Sequence, residues 1–107
     1  MLPLPPLGIK ELPFINTNHK TQPAIVSPNP VNDQAIIGFT LSSQEHAVVE
    51  ITDIAGRIVY KSEPRYFPEG DGQFELNNMH MRNGLYNCRI IAGNEIFTGK
   101  FIILKNY

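Results

Sequence analysis

Short runs in which apolar and polar residues alternate one for one, each ended by a glycine, proline or asparagine cluster, constrain this chain more than any other feature. Ala35, Ile37, Phe39 and Leu41 alternate with Gln34, Ile36, Gly38 and Thr40, and Ala47, Val49 and Ile51 with Val48, Glu50 and Thr52. A period of 2 places every second side chain on one face, the signature of a strand with that face on a core. After the break Asp53-Ile-Ala-Gly56 the run Arg57–Lys61 resumes, which predicts a hairpin. Gln73–Leu76 alternates again, and Leu85–Ala92 and Ile96–Leu104 are joined by Gly93-Asn94, residues that tolerate the positive φ of a two-residue turn. Ser62–Gly72, with Pro64, Pro68, Gly70 and Gly72, reads as a loop. Six or seven strands spaced by about 8 to 12 residues predict an all-β sandwich, and no 3.6-residue apolar stripe argues for helix.

Composition narrows the function classes. Nine basic and ten acidic residues are scattered along the chain, giving a net charge of -1. That balance offers no electrostatic footprint for nucleic acid or for an anionic membrane. One cysteine, Cys88, excludes an internal disulfide. No apolar run approaches the roughly 20 residues that span a bilayer as a helix. Residues 1–23 divide off by composition: they hold five prolines, a polar stretch Asn16–Gln22 and no sustained period, and read as a linker or tail preceding a domain at 24–107. Leu2, Leu4, Leu7, Ile9, Leu12, Phe14 and Ile15 make that tail more apolar than a flexible linker. Its first residues carry no basic and continuously apolar signal-peptide pattern, so if the domain is exported, its signal peptide is not expected in this chain.

Candidate chemistry is sparse. His19, His46 and His80 sit apart, without the spacing of a metal site. Cys88 shares a strand face with Tyr86 and Ile90 and is expected in the core, where a thiol is a small hydrophobe. Glu69 and Asp71 flank Gly70 in the expected loop and offer too few oxygens for calcium. No metal, cofactor or catalytic residue is therefore expected. The stretch Ser27-Pro28-Asn29-Pro30 is a different kind of signal. Each proline holds the residue before it in extended backbone and donates to no ladder, which marks a strand end and launches Gln34–Leu41 at a fixed angle.

Taken in order, Ser27-Pro28-Asn29-Pro30, Ile51–Val59 with its Asp53-Ile-Ala-Gly56-Arg57 turn, Asn83-Gly84-Leu85-Tyr86, Gly99-Lys100 and a β-rich end at Lys105 resemble the type A C-terminal sorting domain of the type IX (Por) secretion system of Bacteroidetes. The resemblance covers about residues 24–105. It implies an immunoglobulin-like sandwich of about seven antiparallel strands that is not an enzyme and serves as an address. An upstream cargo domain would reach the periplasm, the secretion machinery would recognise the folded domain, and a sortase-like peptidase would remove it in many members during attachment to the cell surface. The residues carrying the resemblance are Pro28, Asn29, Pro30, Asp53, Gly56, Arg57, Gly84, Tyr86, Gly99, Lys100 and Lys105.

In backbone terms, Asp53 is suited to cap turn amides and Gly56 to take a positive φ. Arg57 either pairs with Asp53 or faces solvent. Asn83-Gly84 turns the chain into the strand of Tyr86, whose ring is large enough to anchor a core. Both faces of the last strand are apolar near its end, so it is expected either to invite a partner by edge or face contact, with Lys100 and Lys105 as polar contacts, or to lie buried on both faces. The alternative from another class is an adhesive or ligand-binding module similar to fibronectin type III, binding through exposed loops such as Pro64–Gly72.

Overall fold

The computed structural model describes residues 20–77 and 80–105. Their alternating runs become strands with alternating burial. β3 (Gln34–Leu41) buries Ala35, Ile37, Phe39 and Leu41, and β4 (Glu45–Asp53) buries Ala47, Val49 and Ile51. β8 (Gly84–Ala92) and β9 (Glu95–Ile103) form the expected hairpin about Gly93-Asn94. The remaining strands are β1 (Lys20–Pro23), β2 (Ile25–Ser27), β5 (Ile58–Lys61), β6 (Arg65–Phe67) and β7 (Gly70–Asn77). One sheet runs β1-β9-β8-β4-β5 with β6 also on β4; the other runs β2-β3-β7. The two inner faces meet in a single apolar layer that includes Phe97, Phe101, Ile37, Leu41, Ile51 and Ile90, each essentially excluded from solvent. Burying side chains of this size stabilises the fold by about 2 kcal/mol apiece, against the entropy of ordering them.

Three expectations change. The segment Ser62–Gly72 is not a loop: Arg65–Phe67 pairs with Glu45–Ala47, and β7 already begins at Gly70. Phe67 is buried against Phe39 and Phe74, with ring centroids 5.0 and 5.2 Å away, and the Arg65 guanidinium lies over Phe67 at 5.0 Å. Tyr66 and Phe67 among prolines and glycines carry no period, so this strand is held by its pairing with β4 and by the rings of the other sheet that cover Phe67. The boundary drawn after residue 23 also moves. Lys20–Pro23 pairs with Glu95–Thr98 of β9, whereas the rest of the expected tail, residues 1–19, lies outside the described residues. Finally, that β1–β9 ladder is parallel, as is the bridge between Val31 and Ile103, whereas the other ladders among the described residues are antiparallel.

The chain changes sheets between β1 and β2, and Gly99 is where it crosses. The Ala24 amide donates to the Thr98 carbonyl at 2.8 Å, and a Cβ on residue 99 would collide with the Ala24 carbonyl oxygen. After β2 the chain returns to β9: the Val31 amide donates to the Ile102 carbonyl at 2.7 Å and the Leu104 amide to the Val31 carbonyl at 2.8 Å. The outer edge of β9 is thus covered first by β1 and then by Val31, with a gap opposite Phe101.

Candidate functional site

Asn29 fills that gap. Its carboxamide Nδ2 donates to the Lys100 carbonyl at 3.4 Å, and its Oδ1 accepts from the Ile102 amide at 3.0 Å. One side chain therefore offers the donor and the acceptor that a neighbouring strand residue would offer. Pro28 and Pro30 flank it in an exposed segment between β2 and Val31. On the other edge of β9, past its paired length, Asn83 Oδ1 accepts from the Lys105 amide at 2.8 Å. Two asparagines thus hold the end of the last strand from its two sides.

The register carries this geometry across the sheet. Phe101, opposite the Asn29 carboxamide, pairs with Tyr86, and Tyr86 pairs with Asp53. The Tyr86 ring is stacked on Phe101 at 5.7 Å, and its hydroxyl donates to the Arg82 carbonyl at 2.7 Å. A tyrosine bonded back to backbone four residues upstream, at the start of the penultimate strand, is the tyrosine corner of immunoglobulin-like sandwiches. Asp53 ends the row. Its Oδ1 accepts from the Ala55 amide at 2.9 Å and the Arg57 amide at 3.0 Å, while Oδ2 pairs with the Arg57 guanidinium at 3.0 Å. The Gly56 amide donates to the Asp53 carbonyl at 2.9 Å, and Gly56 turns with φ of 86°. The Arg57 amide bond is the largest influence and favours the ionised carboxylate; desolvation opposes it, and the Ala55 amide and the guanidinium charge add to the lowering, so that Asp53 is held below the ordinary value. Between its two expected alternatives, Arg57 takes the pair with Asp53, although its side chain remains largely in solvent.

Segments far apart in sequence, around Asn29, Asp53–Arg57, Asn83–Tyr86 and Gly99–Lys105, therefore meet at one end of the larger sheet. Gly84 opens β8 opposite Ile103, and Gly99 lies two residues before Phe101. Lys100 projects from the outer face, and Lys105 is half-buried just past β9. Of the two expectations for β9, burial on both faces is not met: the strand is paired along both edges and buries only one face, which leaves the other open. On the other face Ile102 pairs with Leu85, and both are exposed, as is Leu104. Asn83 and Leu85 stand in the sequence only as neighbours of Gly84 and Tyr86; the structure adds that Asn83 accepts from the Lys105 amide and that Leu85 pairs with Ile102.

The remaining sequence candidates stay apart from this end or are inert. Burial pushes the Cys88 thiol up to about 11, which leaves it protonated near neutrality. Asp71 accepts from the Thr40 hydroxyl at 2.8 Å on the opposite sheet. Among the described residues no group of three or more histidine, cysteine or acidic side chains could hold a metal ion. The stretch Pro64–Gly72, the expected ligand loop of an adhesive module, is largely taken up in β6 and β7.

Comparison with known proteins agrees with this geometry. Among solved structures the chain is similar to PorZ, described as an essential bacterial surface component of the type-IX secretion system of Porphyromonas gingivalis, with a TM-score of 0.54 and 19% identity over 76% of this chain. It spans 11% of that protein. It is also similar to an uncharacterized protein from Bacillus anthracis str. Ames, with a TM-score of 0.50 and 14% identity over 79% of this chain and 86% of the other. At these identities both likenesses concern the fold. No curated protein matches the chain. The model of the secretion system C-terminal sorting domain matches residues 26–104, which take in the segments gathered around the end of β9 as far as Leu104. The chain belongs to the secretion system C-terminal sorting domain family.

Proposed function

We propose that this domain directs an attached cargo across the bacterial outer membrane through the type IX secretion machinery, and that the end of the larger sheet around Lys100–Lys105 is the surface the machinery reads. The observation that carries the reading is the convergence itself. Asn29, Asp53, Arg57, Gly84, Tyr86, Gly99, Lys100 and Lys105 come from four separated segments and hold one strand end in place. Pro28, Pro30 and Gly56 shape the backbone that brings two of those segments there. Most of these residues act on the backbone; the side chains left facing outward are Lys100, Ile102, Leu85 and Leu104. Such a strip, apolar at one end and cationic at the other, suits a face contact, since the edges of β9 are already paired. In this reading a sortase-like peptidase separates cargo from domain upstream of β1.

The test is a fusion of the full chain to a reporter bearing a signal peptide, expressed in a type IX-competent bacterium. Surface display that disappears when the machinery is deleted is the expected result. A reporter that folds and stays periplasmic in the competent cell would sink the reading.

A further inference from the structure

The outer face of the larger sheet carries charge in an arrangement that strand pairing does not require. By register, Thr98, Arg89, Glu50 and Lys61 form one outward row across β9, β8, β4 and β5, and Lys100, Asn87, Thr52 and Ile58 form the next. Glu50 is the one carboxylate in these two rows, and two cations converge on it: Arg89 Nη2 at 3.1 Å and Lys61 Nζ at 3.7 Å. The carboxylate side chain is 11% exposed, whereas those of Arg89 and Lys61 are 54% and 59% exposed. Glu50 therefore lies beneath its partners, fixing their heads while leaving their outer sides in water. Lys100, in the adjoining row, has no acidic partner among the described residues.

Arg89 and Lys100 overlook a shallow groove of about 590 Å³ whose lining includes Thr52, Asn87 and Thr98, side chains able to donate hydrogen bonds. The smaller sheet is the reverse: β7 carries Asp71 and Glu75 outward, and β2, β3 and β7 contain no lysine or arginine. A chain with nearly balanced charge has thus sorted it by face. Exposed apolar side chains adjoin this polar centre: Ile58 lines the groove on β5, and Leu85 and Ile102 form the next outward pair beyond Asn87 and Lys100.

We propose that this groove docks an acidic surface of a protein of the export machinery, whose carboxylates meet Arg89, Lys61 and Lys100 and whose pockets take Ile58, Leu85 and Ile102. The proposal rests on the sorting reading and specifies the chemistry of its partner. Cations held in place by a buried carboxylate are preorganised for incoming carboxylates and steer the encounter. Separate apolar anchors beside a polar centre call for shaped pockets, which a protein supplies. A lipid surface instead rewards one continuous apolar face beneath flexible cations.

The experiment uses the full-chain reporter fusion with Lys100→Glu combined with Arg89→Gln, with Lys100→Arg as the conservative variant. As a control, Asp71→Asn with Glu75→Gln removes the charge of the opposite face. Display is expected to fall about tenfold or more in the first variant, to stay within about twofold of wild type in the opposite-face control, and to be kept by Lys100→Arg, which retains the cation, above the level of the double variant. Thermal unfolding of the purified chains separates docking from folding. Should the double variant fail to fold, Lys100→Gln, which leaves both Glu50 pairs intact, takes its place. A folded basic-face variant displayed like wild type overturns the docking proposal and leaves the sorting reading standing. A wild-type fusion that is not displayed removes both. Binding of the purified chain to phosphatidylglycerol vesicles, abolished by Lys100→Glu, assigns the groove to a lipid headgroup and also overturns the proposal.

Discussion

β9 and β4 solve the same problem with different side chains. Each lies next to an outer edge of the larger sheet where the covering strand breaks off, and each break is bridged by one residue. Along β9 the cover is β1, then the Asn29 carboxamide, then Val31. Along β4 it is β6, then Ser62, then β5. Ser62 donates its own amide to the Val49 carbonyl at 2.9 Å, and its hydroxyl accepts from the Val49 amide at 3.0 Å. An edge of unpaired amides and carbonyls is a template for unwanted pairing, and both devices close it. They differ in surroundings. Val49 is a core residue, 1% exposed, so its amide has little access to water if the hydroxyl is removed. Both Asn29 bonds lie in exposed surroundings, where water can replace them. The β4 bridge is thus placed to matter for stability, and the β9 bridge for the shape of the strand end that the machinery is proposed to read.

The largest effect lies beside Asn29 rather than at it. Gly99→Ala drives a methyl group into the Ala24 carbonyl oxygen where the chain changes sheets, and backbone offers no easy retreat. A loss of about 3 kcal/mol is expected from overpacking of this kind, read from the urea midpoint. The same variant should speed alkylation of Cys88, whose sulfur lies 3.3 Å from where that methyl would sit and whose burial otherwise keeps it slow. Unchanged stability in Gly99→Ala would mean that Ala24 moves away freely and that the crossing is not fixed.

Ser62→Ala comes next, at about 2 kcal/mol, because it leaves a poorly solvated amide without its acceptor. Asn29→Ala should cost about 1 kcal/mol, since water reaches both orphaned groups. Reporter display should rank these two the other way, with Asn29→Ala losing more than Ser62→Ala. If Asn29→Ala proves the more destabilising, or if display simply follows stability across the pair, the division of labour between the edges is broken.

The smallest effect sharpens the far end of the same row. Asp53 is lowered in the folded state, so its contribution to stability is fully present above the ordinary value of 3.8 and fades as the pH falls through the lower folded-state value. The Ala55 and Arg57 amides should lose exchange protection on the acid side of 3.8, while the Ile102 amide, bonded to the non-ionising Asn29, should not follow. Parallel loss at all three would mean that acid opens the sheet end as a whole.

Legibility in the sequence follows the range of the interaction. The inward faces of β3, β4, β8 and β9 are readable because a period of 2 is a local property of the chain. The Asp53–Gly56 turn is readable for the same reason, since its carboxylate, amides and glycine lie within a few residues. β6 is not, because Phe67 owes its place to Phe39 and Phe74 from the other sheet. β1 is not, because Lys-Thr-Gln-Pro has no alternation and is held by backbone pairing and by the Gln22 amide on Glu95 at 2.8 Å. The site is half legible. Pro28, Asn29 and Pro30 stand out, but as stiff backbone rather than as carriers of a carboxamide that completes a ladder 71 residues away.

By itself the sequence determined the strands with long alternating runs, the side of each that turns inward, the two tight turns and the family, because each of these rests on residue type at short spacing. Only the tertiary structure decided which edges meet. It placed Asn29, Phe101, Tyr86 and Asp53 in one row, paired β9 on both edges while leaving one face open, and gathered Arg89 and Lys61 over Glu50. Hydrogen bonds between strands and charges across a sheet depend on register between distant segments, and register is fixed only when all the apolar faces are buried together.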